Sequence, residues 1–492
     1  MTAARDAVVT RSRQRLAADR SRVIARLFVP GQEGFEAVES RAGAVLARIL
    51  ALDEDDVRAS VDDVMTRFAD RHRDLVVTFG SHARELTDRL DPGIALSADR
   101  MLLLGATFTN EVAIEGAALC NPSMVAHPDQ SGTEPGSLRI VMSVRGIGEG
   151  HRSSIGFRTG TVDAAGSAVI DEPVPFATEG SVASALLNGS VFRHELSGVH
   201  AGEATDYVLA GLGARFTRGD LDERLERLYR HRATWVHVPE TIELFRGIAD
   251  RSYTVEFATD TELSERVLWP AMSAEAVGME DARLVRFVDD DGSVIYHATY
   301  TAYNGSHISQ QMLTTSDFRS FTSVPLVGDA AANKGLALFP RRVDGRYAAL
   351  SRSDRESNTV AYTDDLSVWT TTSPCQRPHQ AWEALQLGNC GPPLETEAGW
   401  LVLTHGVGPM RTYRIGAILL DLDDPTRIIG RLRRPLLAPT REEQDGYVPN
   451  VVYSCGGLLH AGVLVLPYGI GDAQIGIATV PVAELLAAMD PG

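Results

Sequence analysis

Lysine is almost missing from this sequence. Among its 47 Lys and Arg residues only Lys334 is lysine. Arginine has taken over wherever a generic cation suffices, so the survivor marks a place that wants a compact ammonium and not a planar guanidinium. Its setting, Asn333-Lys334-Gly335 within an apolar stretch, is that of a site more than of a charged surface. Cysteine is also scarce. Cys120, Cys375, Cys390 and Cys455 lie far apart with no CxxC spacing, which argues against a zinc site and a disulfide framework and makes a reducing cytoplasm the expected location. The longest apolar runs, such as that around Leu401–Leu403, fall well short of the ~18 residues of a membrane span. Met1–Leu27 carries seven arginines, two aspartates and no apolar core, so no secretory leader is expected. Positive charge is in deficit, 47 basic against 65 acidic residues for a net −18, which disfavours nucleic acid and anionic membranes as partners. No metal-ligand cluster or phosphate loop is visible, and the glycines of Gly146–Gly150 lack a strand–turn–helix setting; no cofactor is expected.

What is present divides the 492 residues into two textures. Residues 1–100 read as a helical region. Val57, Val61, Val64, Met65 and Phe68 share one helical face, with Asp53–Asp56 placed to cap it, and Val38, Ala42, Val45, Leu46 and Ile49 repeat the pattern. Pro30-Gly31 separates them from a basic segment, also read as helix. The only role expected of this region is packing or a homodimer contact. From 101 to 492 short apolar runs alternate with Gly, Asp and Asn, a strand texture. Turn glycines 292, 345, 399 and 457 recur at intervals of 53, 54 and 58 residues. With an earlier unit, Leu138–Val144 and Ser153–Gly160, they make five small antiparallel sheets. The expected fold is mainly β, a five-bladed β-propeller, interrupted by a helical insertion at about 165–270. There Asp220 and Glu223 open a helix carrying Leu221, Leu225 and Leu228, and a second helix spans Pro239–Ile248.

In such a ring, ligands collect where each innermost strand begins. Polar residues recur there: Asn121 and Ser123; Arg145; Glu280, Asp281 and Arg283; Asn333 and Lys334; Arg352 and Asp354; His405; Tyr468 and Asp472. Carboxylates, cations and amides converging in this way suit a polyhydroxylated ligand with room for an anion. Beside Glu280, Asp281 is expected to have a raised pKa, fitting a proton donor.

Gly278–Arg283, Asn333–Pro340, Gly399–Val407, Gly416–Arg431 and Gly446–Val452, in this order, resemble glycoside hydrolase family 130. That family contains inverting β-mannoside phosphorylases and β-1,2-mannosidases, and the N-terminal helices with Asn121–Gly132 resemble its longer branch, which includes β-1,2-oligomannan phosphorylases. The resemblance implies Asp281 as general acid, acting through a sugar hydroxyl. It implies Lys334, Arg352 and His405 around phosphate, and Asn121, Ser123, Arg145 and Asp472 against sugar, with Tyr468 lining the same pocket. Glu280, Asn333 and Asp354 are taken as substrate contacts, and Arg283 either as another or as a structural partner of Glu280. One departure bears on the reaction. Many of the phosphorylases carry lysine two residues after Pro-Pro, where this chain has Glu395. A carboxylate there would repel phosphate and could instead activate water. The expectation is a phosphorylase acting on β-1,2-mannooligosaccharides with inorganic phosphate as co-substrate; a β-1,2-mannosidase with Glu395 as base and a non-catalytic sugar-binding propeller are the alternatives.

Overall fold

The computed structural model describes residues 8–31, 40–87, 95–197, 202–232 and 237–492. It is mainly β, built around five antiparallel units. The first unit comprises Ala118–Ala126, Leu138–Ile147, Ser153–Val162 and Ala168–Ile170. The second comprises Gly278–Val288, Val294–Tyr303, Ile308–Thr315 and Ser320–Leu326, and the third Ala337–Leu338, Tyr347–Ser351, Asn358–Thr363 and Thr371–Gln376. In the fourth, Gln386–Asn389 and Leu394–Thr396 share the innermost position before Gly399–Val407, Tyr413–Leu420 and Ile428–Arg431. In the fifth, Val452–Tyr453 and Leu458–His460 do the same before Val463–Ile470 and Gln474–Pro481.

The second strands are largely buried because both of their faces are covered. Every residue of Gly399–Val407 is buried, as expected of a strand sandwiched between neighbouring sheets. The apolar clusters show which sheets are neighbours. Val141 and Phe157 of the first unit pack on Leu284 and Tyr296 of the second. Phe287 and Met312 of the second meet Leu338 and Ala349 of the third. Phe339 and Leu350 of the third meet Trp400 and Ile418 of the fourth, and Leu403 and Ile415 of the fourth meet Leu466 and Ile470 of the fifth. Val465 and Ile477 of the fifth then meet Ile140 and Met142 of the first. The packing closes on itself.

Three sequence expectations are corrected. The basic N-terminal segment is not a helix but two strands, Thr10–Ala17 and Val23–Leu27. Thr10–Ala17 pairs antiparallel with Gln474–Pro481 and supplies the outer strand of the fifth unit, so residues 1–100 are not helical throughout. The helices there are Arg41–Ala51, Glu54–Phe68, Leu75–Thr87 and Ala98–Thr107; Asp53 caps the second as expected, accepting from the Asp55 and Asp56 amides. Val38, assigned to the first helical face, lies outside the described residues. The fifth hairpin turns at Ala461-Gly462, not at Gly457: φ is 48° and 75° at these two positions, the left-handed pair that a tight two-residue hairpin needs. Gly345, preceded by Asp344, makes the same turn where the spacing placed it, with φ of 69° and 50°.

The insertion carries helices Gly189–Leu196, Glu203–Ala210, Arg218–Arg232 and Val238–Ala249 around a core of Phe192, Leu225, Leu228 and Phe245. Its long helix opens three residues earlier than expected. Thr217 and Asp220 cap each other reciprocally: the Thr217 amide donates to Asp220 Oδ2 at 2.8 Å and the Asp220 amide to Thr217 Oγ1 at 3.1 Å.

Candidate active site

A cavity of about 210 Å³ lies where the innermost strands begin, lined by Asn121, Arg145, Asp281, Arg283, Lys334, Gly335, Arg352, Gln386, His405, Arg411, Tyr413, Val448, Val451, Tyr453 and Asp472. Its first two carriers are shaped by matching irregularities. The ladders of the first and second units slip between Cys120 and Ser123 and between Glu280 and Arg283. Within those bulges Asn121 and Asp281 adopt φ of 49° and 58°. A bulge re-aims a side chain that a regular pleat would send elsewhere, and a non-glycine residue in the left-handed region costs about 1–2 kcal/mol. The two re-aimed side chains meet: Asn121 Nδ2 donates to Asp281 Oδ1 at 2.6 Å. Asp472, in the turn between the two central strands of the fifth unit, is a third left-handed residue, with φ of 48°.

Arg145 organises the acidic side. Its Nη2 donates to Glu280 Oε1 at 2.7 Å, its Nη1 lies 3.4 Å from Asp281 Oδ1, and its Nε donates to Ser153 Oγ at 3.0 Å. Burial pushes the Asp281 carboxyl up, yet Arg145, Arg283, Lys334 and the Asn121 amide together hold it below its ordinary range. The expected raised pKa is therefore corrected. Glu280 is engaged by Arg145, and the cations outnumber the carboxylates that face Asp281. The carboxyl that is raised here is Asp472, which burial and the neighbouring Asp281 push up to about 6.

The opposite side is basic. Arg283 donates through Nη1 to the Asp281 carbonyl at 3.0 Å and through Nη2 to the Tyr453 hydroxyl at 2.8 Å. It is thus not the partner of Glu280. Lys334 Nζ stands 3.6 Å from Glu280 Oε2. Arg352 Nη1 lies 2.9 Å from His405 Nε2. A guanidinium has only donors, so Nε2 accepts and the imidazole proton is on Nδ1, which donates to the Asn389 carbonyl at 3.1 Å. Burial, reinforced by Arg352, drops the His405 pKa to about 3. His405 is a neutral prop for Arg352 and not a further cation. Among the described residues the buried Arg283 Nε, Arg352 Nε and Asn121 Oδ1 have no protein hydrogen-bond partner, so polar atoms of this region stay unsatisfied within the protein.

The structure brings Asn121, Arg145, Asp281, Arg283, Lys334, Arg352, His405 and Asp472 into this cavity, with Glu280 just behind Arg145. Five other expected site residues are placed elsewhere. Ser123 Oγ accepts from the Leu284 amide at 3.0 Å, tying the first unit to the second. Asn333 reaches the Arg352 carbonyl at 3.4 Å, and Asp354 caps its own turn through the Glu356 and Ser357 amides. Tyr468 is buried in the fourth–fifth core with its hydroxyl on Glu443. Glu395 lines a second cavity, of about 390 Å³, where the innermost strands end. There it forms a two-pronged ion pair with Arg341, at 2.7 and 2.9 Å. From Asp281 to Val288, which faces that second cavity, a strand climbs roughly 20 Å at about 3.3 Å per residue. Sequence reading missed Gln386, Arg411, Tyr413 and Tyr453. Tyr453 could have been found by starting the fifth innermost strand at Val452 and not at Gly446. Among the described residues no group of three or more His, Cys, Asp or Glu could hold a metal, and no helix is long and apolar enough to cross a membrane.

A sequence profile for glycoside hydrolase family 130, described as beta-1,4-mannooligosaccharide phosphorylase, matches residues 230–491, over half of the chain. The chain belongs to glycoside hydrolase family 130. Among relatives, this family 130 chain is 33% identical over 225 residues to a 1,2-beta-oligomannan phosphorylase of Thermoanaerobacter sp. (strain X514), covering 44% of this chain and 74% of the relative. It is 34% identical over 218 residues to a beta-1,2-mannobiose phosphorylase of the same organism, covering 44% and 70%. Among solved structures it is similar to the beta-1,2-mannobiose phosphorylase of Listeria innocua in complex with beta-1,2-mannobiose, at 18% identity and a TM-score of 0.44, covering 77% of this chain and 92% of that one.

Proposed function

We propose that this family 130 protein is an inverting β-mannoside phosphorylase: it moves a terminal mannosyl group from a β-1,2-linked mannooligosaccharide to inorganic phosphate, giving α-mannose 1-phosphate, and runs the same step in reverse. One observation carries the reading. The carboxylates Asp281 and Asp472 and the cations Arg283, Lys334 and Arg352 line one cavity. A hydrolase has no use for those cations, because water needs no anion site. Glu395, the residue that favoured hydrolysis, is tied to Arg341 in the other cavity. The relatives named for β-1,2 linkages support the choice of linkage.

In this reading phosphate sits among Arg283, Lys334 and Arg352 and attacks the anomeric carbon opposite the leaving oxygen, so configuration inverts. The proton for that oxygen comes from Asp281 through a sugar hydroxyl. Arg283 and Lys334 are among the groups that hold the Asp281 pKa down. A bound phosphate neutralises them, and the carboxyl becomes a better proton carrier once both substrates are in place. Arg145 and Asn121 hold the acid in position, and Asp472 hydrogen-bonds the sugar. The five units act as the blades of a five-bladed β-propeller, a reading supported by the cyclic packing of their cores, with the cavity at one mouth. Four free cysteines, three of them buried, suit a reducing cytoplasm.

The test is to incubate the protein with β-1,2-mannobiose and longer homologues, with and without inorganic phosphate, and to separate mannose 1-phosphate from mannose. Phosphate-dependent mannose 1-phosphate is expected. Free mannose released at the same rate without phosphate would overturn the reading in favour of hydrolysis.

A further inference from the structure

Two cationic arms of the anion site lead back to one residue that is itself outside the cavity. Asn389, 1% exposed, ends the first innermost strand of the fourth unit. Its side-chain Nδ2 donates to the carbonyl of Gly335 at 2.7 Å, fixing the backbone that directly follows Lys334. Its own carbonyl accepts the His405 Nδ1 proton at 3.1 Å, and the other ring nitrogen then receives Arg352 Nη1 at 2.9 Å. Its Oδ1 accepts the Gly391 amide at 3.2 Å, which sets the orientation of the amide group. The residue before it has no side chain for a stated reason. A Cβ on Gly388 would stand 2.4 Å from His405 Cε1 and 2.7 Å from Arg352 Cδ, so only glycine lets imidazole and guanidinium pack there. The imidazole is further held edge-on against Tyr453, with ring centroids 5.0 Å apart.

We infer that Asn389 is a positioning residue for the second substrate: it fixes the backbone beside Lys334 through its amide and Arg352 through the neutral His405, and so sets the spacing of two of the three cations that grip phosphate. The inference rests on the phosphorylase reading. It places no demand on the sugar side of the cavity, since the Asn389 side chain and carbonyl are engaged by Gly335, Gly391 and His405. A guanidinium and an ammonium held at fixed separation bind a tetrahedral dianion without first giving up side-chain freedom. Loosening either arm therefore weakens phosphate and leaves mannoside binding alone.

The test uses the full chain and inorganic phosphate. Asn389→Asp keeps the shape and the acceptor for Gly391 but turns the donor to Gly335 into a second acceptor. The KM for phosphate is expected to rise about tenfold or more, with the KM for β-1,2-mannobiose within about twofold and a cooperative melt retained. On the other arm, His405→Leu is expected to raise the phosphate KM similarly, and His405→Gln, whose amide oxygen can again accept from Arg352, to recover part of the loss. A folded Asn389→Asp with unchanged phosphate KM, or with both KM values raised by the same factor, would overturn the inference. If that variant does not fold, the His405 pair decides, and equal phosphate KM in Leu and Gln variants overturns it. A wild-type protein whose turnover ignores phosphate would instead remove the phosphorylase reading and the inference together.

Discussion

The two ends of the innermost strands belong to the same five units and share almost no chemistry. Where they begin, the backbone leaves the regular pleat at Asn121 and Asp281, carboxylates and guanidiniums face one another, and buried polar atoms stand without protein partners. Where they end, Met124, Leu284, Pro340, Pro392 and Leu458 form apolar walls, and the charges of Glu395 and Arg341 satisfy each other. Reactivity follows the irregular end because a regular strand presents side chains at fixed alternation. The two bulges turn two of them, from different units, onto the same point. Strain at one end is tolerated because regular pairing and continuous cores hold the rest of each strand.

This contrast can be broken at its strongest point first. Asp281→Asn keeps the shape of the acid without its proton chemistry and is expected to lower phosphate-dependent turnover by about 10³-fold; mannooligosaccharide affinity measured by calorimetry should change far less. Next comes Asp472. Its folded pKa of about 6 stands above the ordinary 3.8, so ionising it costs the folded state. Its contribution is complete below about pH 4 and is lost as the pH rises through 6. Asp472→Asn cannot ionise and should melt higher than wild type above pH 6, by the equivalent of about 1–3 kcal/mol, with the gap closing below pH 4. Thermal melts across that range check the sign. The smallest effect belongs to the far end. Glu395→Gln removes a half-exposed ion pair, worth at most about 1 kcal/mol, and should leave turnover within about twofold. A large loss of activity there would erase the distinction between the two ends.

Much of the site was legible because the sequence repeats. Once hairpin turns recur at nearly equal intervals, the start of each innermost strand can be counted off, and Asn121, Asp281 and Lys334 fall at such starts, while Arg352 and Asp472 follow the ends of the antiparallel second strands beside them. The misplaced residues erred for physical reasons. Ser123 sits just beyond a bulge, so alternation counted without the slip sends it to the cavity. Tyr468 belongs to a second strand, with both faces buried. Asp354 is a turn-capping carboxylate, and residue type alone does not separate that from a ligand contact. Glu395 follows Pro392-Pro393, which looks like the neighbourhood of the site in a list of residues but lies at the other end of the strand in space. The lowered pKa of Asp281 was illegible for a different reason. Its sequence neighbour is a carboxylate, while the groups that decide its charge come from the first, second and third units. The N-terminal strand was hidden in the same way, because its partner lies more than 450 residues along the chain.

That pairing of Thr10–Ala17 with Gln474–Pro481 has a temporal meaning. During synthesis the first strand leaves the ribosome long before the edge it must join exists, and every other sheet can assemble in the meantime. The fifth unit is completed last, by an early strand against one made more than 450 residues later. Until then the Gln474–Pro481 edge offers unpaired amides and carbonyls to any other strand nearby. A chain lacking residues 1–17 would keep every group of the catalytic cavity and still carry an open seam, so its failure should show first as aggregation on refolding and only then as lost activity.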